Sequence, residues 1–211
     1  MMIEITLEQA NKLMEETHYL GPCKAAGAQC FGWVEGNIIV AAAIYADPHA
    51  PKIPAGYRDL RRLTRKEEML SPLSKFVSST LRFLSKEGWD AAITWADQAA
   101  DHHGGIYQAT NWIYLEPQSY NWNSSYVLPD GVVKNHRVVF KELGTTARKK
   151  VKELQPDWMP FLPKMKFRYV YPMAKNITII QKDLNGKISQ YPKPNGSEVK
   201  RIDYRRVASN A

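Results

Sequence analysis

Hydrophobic positions along this chain fall into two rhythms, and the changes of rhythm mark its elements. Thr6-Leu-Glu-Gln9 has the form of a capping box, and Leu7, Ala10, Leu13 and Met14 follow at helical spacing. This predicts a first helix over about residues 7–16, closed by Gly21-Pro22. Ala28–Val34 and Ile38–Tyr45 are extended apolar runs joined by Glu35-Gly36-Asn37, a hairpin pattern. Tyr57–Leu63 is a further strand candidate despite its four charged residues. At Ser71-Pro72 a capping hydroxyl precedes a proline at the first helical position, and Leu73, Phe76, Val77, Leu81 and Leu84 form a helical stripe that Gly88 stops. Ala91–Ala96 reads as a buried strand running into Asp97, and Ile106–Trp112 as another helix. Tyr126–Leu128 and Val132–Phe140 flank the turn Pro129-Asp130-Gly131 and read as strands. The order predicts a mixed α/β (α+β) domain over residues 1–145, with residues 146–211 as a basic C-terminal extension packed on or beside it.

Charge gives that division a functional colour. The net charge is +8, yet residues 1–140 hold 13 Lys/Arg against 15 Asp/Glu. Residues 141–211 hold 16 against 6, so all of the excess lies at one end. Such asymmetry suits a polyanion, because phosphate contacts supply most non-specific nucleic-acid affinity; a merely solubilising surface fits it equally well. Arg148, Lys149, Lys150, Lys164, Lys166 and Arg168 are the expected phosphate contacts. With 44% hydrophobic residues the chain can build a core, and its apolar runs are too short to span a bilayer. Two cysteines and no signal-like opening lead us to expect a cytoplasmic protein with free thiols, away from membranes.

The chemistry-bearing residues cluster after the Asp97 strand. In open α/β sheets, sites gather beyond the carboxyl ends of strands. There Asp97 is a candidate base, His102 a ligand or proton carrier and Tyr107 a general acid; the plainer alternative makes Asp97 a helix cap. The spacing Asp-x4-His-His matches no recognised metal motif, so a metal is neither indicated nor excluded. Tyr107, Asn111, Trp112 and Tyr114 offer polar and aromatic groups that can stack on an extruded base, although Trp112 alone fits a core better. Arg65, with Ser71, Ser74 and Ser78, suggests an oxyanion or donor site at the start of a helix. A Walker loop, a G-x-S-x-G elbow, an H-E-x-x-H pair and a Cys-x-x-Cys are all absent.

The stretch Thr94-Trp-Ala-Asp97, then His102-His-Gly-Gly-Ile-Tyr107-Gln-Ala-Thr-Asn111-Trp112, resembles the core signature of Mom-type phage DNA-modification proteins. His18-Tyr-Leu-Gly21, Leu60-x-Arg62-Leu63 and the serine-rich helix Ser74–Leu84 are similar to that family in order and spacing, over about residues 15–140. The resemblance implies a GNAT-like mixed central sheet flanked by helices. It also implies a transferase that converts adenine in double-stranded DNA to N6-carbamoylmethyladenine and so protects phage DNA from host restriction. It puts functional weight on His18, Arg62, Asp97 and Tyr107. Gln98 stands where the family commonly has proline, and no glycine-rich phosphate loop is present. The donor therefore stays open among acetyl-CoA, another acyl or aminoacyl group, a small molecule or an acyl carrier. The competing readings are a non-catalytic nucleic-acid-binding protein on the same scaffold and an acetyltransferase acting on a protein or small amine.

Overall fold

The computed structural model describes residues 1–49, 52–97, 102–117, 125–134, 136–161 and 166–192. It opens with a strand the pattern does not announce, β1 (Met2–Ile5), followed by α1 (Leu7–Thr17). The capping box is present: the Thr6 hydroxyl accepts the Gln9 N–H at 3.1 Å, and the Gln9 side chain accepts the Thr6 N–H at 2.9 Å. The hairpin is β2 (Gln29–Glu35) and β3 (Ile38–Ala46), turning through Gly36 at φ 58°, where a glycine meets no Cβ penalty. Next come β4 (Tyr57–Arg65), α2 (Leu73–Lys86), β5 (Ala91–Asp97), the single turn α3 (Gly105–Gln108) and β6 (Ile113–Pro117). A small unit follows, made of β7 (Ser125–Val127), β8 (Val133–Lys134), α4 (His136–Leu143), α5 (Arg148–Leu154) and β9 (Met159–Phe161). The chain returns through β10 (Lys166–Pro172), α6 (Ile177–Asp183) and β11 (Gly186–Ile188).

Eight strands form one mixed sheet in the order β1-β2-β3-β4-β5-β10-β6-β11; β8-β7-β9 form a second, small sheet. Alternation along β3 shows how the layers are built. Ala42 and Ile44 pack with Ala10, Leu13 and Met14 of α1, whereas Ala41, Ala43 and Tyr45 pack with Phe76, Val77 and Leu81 of α2. Successive side chains of a strand point to opposite faces, so an unbroken apolar run means helices on both sides. Farther along, Ile93, Val170 and Leu115 meet Ile180 and Leu184 at α6. This is a mixed central sheet flanked by helices. Among the described residues, no helix is long and apolar enough to cross a membrane.

Three local expectations need correction. The N-cap of α2 is Pro72 and no side chain caps it, so the Ser71 hydroxyl does not fill that role. The helix expected over Ile106–Trp112 stops at Gln108, because Asn111 takes a left-handed φ of 60° that turns the chain into β6. Val132–Phe140 is not one strand: β8 is two residues long, and the apolar residues beyond belong to α4, where Val139 is buried beside Tyr126. The basic C-terminal third also contributes to the core. β10 lies between β5 and β6, with Tyr169 and Val170 fully buried.

Candidate active-site cleft

β4 and β5 are the parallel neighbours of the sheet, and they pair only from Tyr57–Asp59 to Ala91–Ile93. Beyond that point β4 stays with β3 as far as Arg65↔Ala41, and β5 stays with β10 as far as Asp97↔Lys166. The Thr94 hydroxyl donates to the Leu60 carbonyl at 2.9 Å and links the strands as they separate. A cleft of about 640 Å³ opens at this fork. Its walls are His18, Tyr19 and Leu20 after α1, Asp59, Arg61 and Arg62 of β4, Thr94 to Ala96 of β5, His102 to Tyr107, and Lys166 of β10.

The motif after β5 has a packing explanation. Gly104 sits at φ 83°, and a Cβ there would lie 2.3 Å from the Tyr169 ring. That ring is held: its hydroxyl donates to the His103 carbonyl at 2.5 Å and accepts from the Gln108 amide at 3.0 Å. The Gly-Gly-Ile-Tyr-Gln run thus clamps the loop to β10 and sets Tyr107 over the cleft. Burial raises the Tyr107 pKa, keeping its hydroxyl protonated 3.4 Å from that of Thr94.

His18 follows the last turn of α1, and its Nδ1 accepts the Leu20 N–H at 3.1 Å. That contact leaves Nε2 to carry the proton of a neutral imidazole. Burial first, then the charges of Arg62 and His102, lower its pKa to about 4, so the ring is neutral at physiological pH. It stacks on Tyr19 at 4.8 Å, and Tyr19 meets His102 edge-on at 5.2 Å. Arg62 is fixed by the Gly21 carbonyl at 3.2 Å and that of Arg61 at 2.8 Å.

Of the residues singled out in the sequence, His18, Arg62, His102, Tyr107 and Lys166 meet in this cleft. Asp97 does not line it. Its side chain is buried at the end of β5, with Lys166 Nζ 3.5 Å from Oδ2. Arg65, Ser71, Ser74 and Ser78 lie outside the lining as well. Ahead of α2, the Glu35 carboxylate accepts the N–H groups of Leu70 and Ser71, each at 2.8 Å. Hydrogen bonds from Ser71 and Leu70 hold its pKa down at about 2. A fixed negative charge therefore stands just ahead of α2, near its positive end, on N–H groups that precede the Pro72 N-cap. Among the described residues, no group of three His, Cys, Asp or Glu is placed to hold a metal.

The proposed DNA-facing residues also separate. Arg148, Lys149 and Lys150 are exposed in the first turn of α5, and Asn111 is exposed beside α3. Tyr114, only 8% exposed, packs against Phe167 and Tyr169, so its ring is not offered to a base. Arg168 donates to the carbonyls of Leu115 at 3.1 Å, Leu184 at 2.8 Å and Asn185 at 3.5 Å, which makes it a staple between β10, β6 and α6 rather than a phosphate contact. Trp112 is fully buried, as a core residue. Lys164 lies outside the described residues. Asp59 carries no motif signal that composition or spacing alone would have raised.

No curated protein matches the chain. Among solved structures it is similar to the ribosomal-protein-S18-alanine N-acetyltransferase from Escherichia coli, with 8% identity, 83% of this chain and 95% of that one covered, and a TM-score of 0.49. An N-acetyltransferase from Staphylococcus aureus gives 8% identity, 83% and 98% coverage, and 0.47. The Bacillus subtilis acetyltransferase in complex with CoA gives 10%, 82% and 96%, and 0.44. A model described as the Mom protein family matches residues 1–193.

Proposed function

The chain belongs to the Mom protein family, and from that premise we propose that it is a transferase acting on the N6 amine of adenine in double-stranded DNA. The product is N6-carbamoylmethyladenine, which shields the DNA from restriction. One observation carries the reading: separate pieces of sequence (the end of α1, β4, the loop into α3 and the start of β10) converge on a single cleft. Its volume falls in the range of small-ligand pockets, about 300–1,000 Å³, enough for an extruded base and a small donor group.

Adenine N6 is a weak nucleophile because its lone pair is delocalised into the ring. The cleft's own groups address that weakness by position and charge. The neutral His18 offers an Nε2–H to an oxygen or ring nitrogen, and Tyr107 offers a protonated hydroxyl from a buried wall. Arg62 is held by carbonyls on one side, leaving its charge beside the reacting groups. His102 supplies a further imidazole at the rim. Asp97, buried beneath Lys166, fixes an exposed ammonium at the mouth, where a DNA phosphate passes. Arg148, Lys149 and Lys150 extend this contact surface. They crowd the positive end of α5, where its dipole disfavours cations, and an anionic partner relieves that crowding.

The test is to express the protein in cells, digest their DNA and weigh the nucleosides. A modified deoxyadenosine heavier by the carbamoylmethyl group is expected. Unmodified DNA together with an acetylated protein or small amine overturns the DNA reading.

A further inference from the structure

Asp59 is the last residue of the paired segment of β4, at the apex of the fork. Among the described residues lining the cleft it is the one carboxylate. Its side chain is 8% exposed, and it accepts no hydrogen bond among the described residues. The ion pair it makes, with Arg61 Nε, is 3.6 Å long, beyond hydrogen-bond length. Arg61 in turn is 7% exposed, and its Nε and Nη1 have no hydrogen-bond partner.

This is an unusual way to bury a charge. Buried polar groups are ordinarily satisfied, and a carboxylate commonly collects two or three N–H donors. By contrast, Glu35 accepts two N–H groups at 2.8 Å, and Asp47 accepts from Arg58 Nη1 at 2.7 Å. Asp59 keeps its acceptor capacity where a ligand enters.

Resting on the reading of an amine substrate given above, we propose that Asp59 is the proton acceptor for that amine. As the N6–carbon bond forms to an electrophilic carbamoylmethyl donor, the leaving group departs from that carbon with the bonding electron pair. One N6 hydrogen passes as a proton to Asp59 and thence to water. Arg61 steadies the carboxylate without hydrogen bonding it, so its basicity is not quenched. The groups facing Asp59 are Arg61 and Arg62 on β4, Lys166 on β10, Tyr107 on α3 and Cys23 after α1. Burial outweighs the three cations and lifts the carboxyl pKa to about 6, close to the operating pH at which a general base works best.

The experiment compares wild type, Asp59→Asn, Asp59→Glu and Asp97→Asn by modified nucleoside, rate against pH and melting temperature. Asp59→Asn is expected to remain folded and to lose about 10²–10⁴-fold in rate, with Asp59→Glu recovering some of it. The wild-type rate falls as pH drops below about 6. A folded Asp59→Asn protein that modifies DNA at the wild-type rate overturns this assignment and leaves the proposed function standing. Wild-type protein that yields no modified adenine overturns the proposed function, and this inference with it.

Discussion

The N-terminus of α2 and the fork between β4 and β5 are both places where a ligand's charge would be welcome, and the protein equips them in opposite ways. Just ahead of α2 a carboxylate from the β2–β3 hairpin accepts the N–H groups of Leu70 and Ser71, so that charge is met locally. At the fork, a carboxylate and a guanidinium are buried 3.6 Å apart without hydrogen-bonding each other. Local satisfaction marks structure; a costly shortfall in hydrogen bonding marks function. The arginines of β4 divide between the cleft and the outer surface. Arg61 and Arg62 turn into the cleft, and Arg65 stays exposed outside it.

The sharpest way to break this contrast is to neutralise the fork. Asp59→Asn mimics the protonated carboxyl and removes a burial penalty as well as a base. The folded protein binds that proton more tightly than the unfolded chain, so wild-type stability falls as pH rises from about 4 through about 6. The variant should lack this fall and gain about 3 kcal/mol at pH 8, read by chemical denaturation across pH, while activity drops. Asp97→Asn, whose partner Lys166 is half exposed, should cost less activity. A complete loss there beside an active Asp59→Asn protein returns the base to Asp97.

Next in size is Gly104→Ala. Its Cβ would strike a ring held by two hydrogen bonds, at a backbone angle that L-residues avoid. A loss of about 2–4 kcal/mol in stability is expected, with displacement of Tyr107 from the cleft. Wild-type melting behaviour would show that the clamp is not what shapes the fork.

A third experiment asks whether anion attraction resides at neither place. Reversing Arg148, Lys149 and Lys150 together should weaken duplex binding and lower the salt slope by up to about 3, near one for each phosphate no longer neutralised. An unchanged slope marks those charges as solubilising.

The smallest effect concerns the filled site. Glu35→Gln removes the charge at the head of α2, and the melting temperature should fall slightly at neutral pH. The depressed carboxyl pKa places that stabilisation above about pH 4.5, and it is lost as pH falls towards 2, where variant and wild type should converge. A gap that persists at pH 2 means that size, not charge, matters there.

Much of the scaffold was legible in the chain because it is written in local periodicity. The capping box, the hairpin, the stripe of α2 and the strand into Asp97 all depend on residues within a few places of one another. Resemblance to a family put weight on His18, Arg62, Asp97 and Tyr107; the structure adds a cleft lined by His18, Arg62 and Tyr107 together with His102, and leaves Asp97 outside that lining. What stayed hidden is what long-range pairing decides. β10 reads as a stretch of basic, proline-rich tail, yet it inserts between β5 and β6 and buries Tyr169. For the same reason Tyr114 and Arg168, plausible nucleic-acid contacts by residue type, became core and staple. Asp59 is one charge among four in an unremarkable strand. Its importance arises only because β4 and β5 diverge immediately beyond it, leaving a buried carboxylate whose neighbours come from several other segments of the chain. Helix and strand follow from nearest neighbours along the chain, but whether a charge is solvated, paired or left waiting is settled by what folding brings against it.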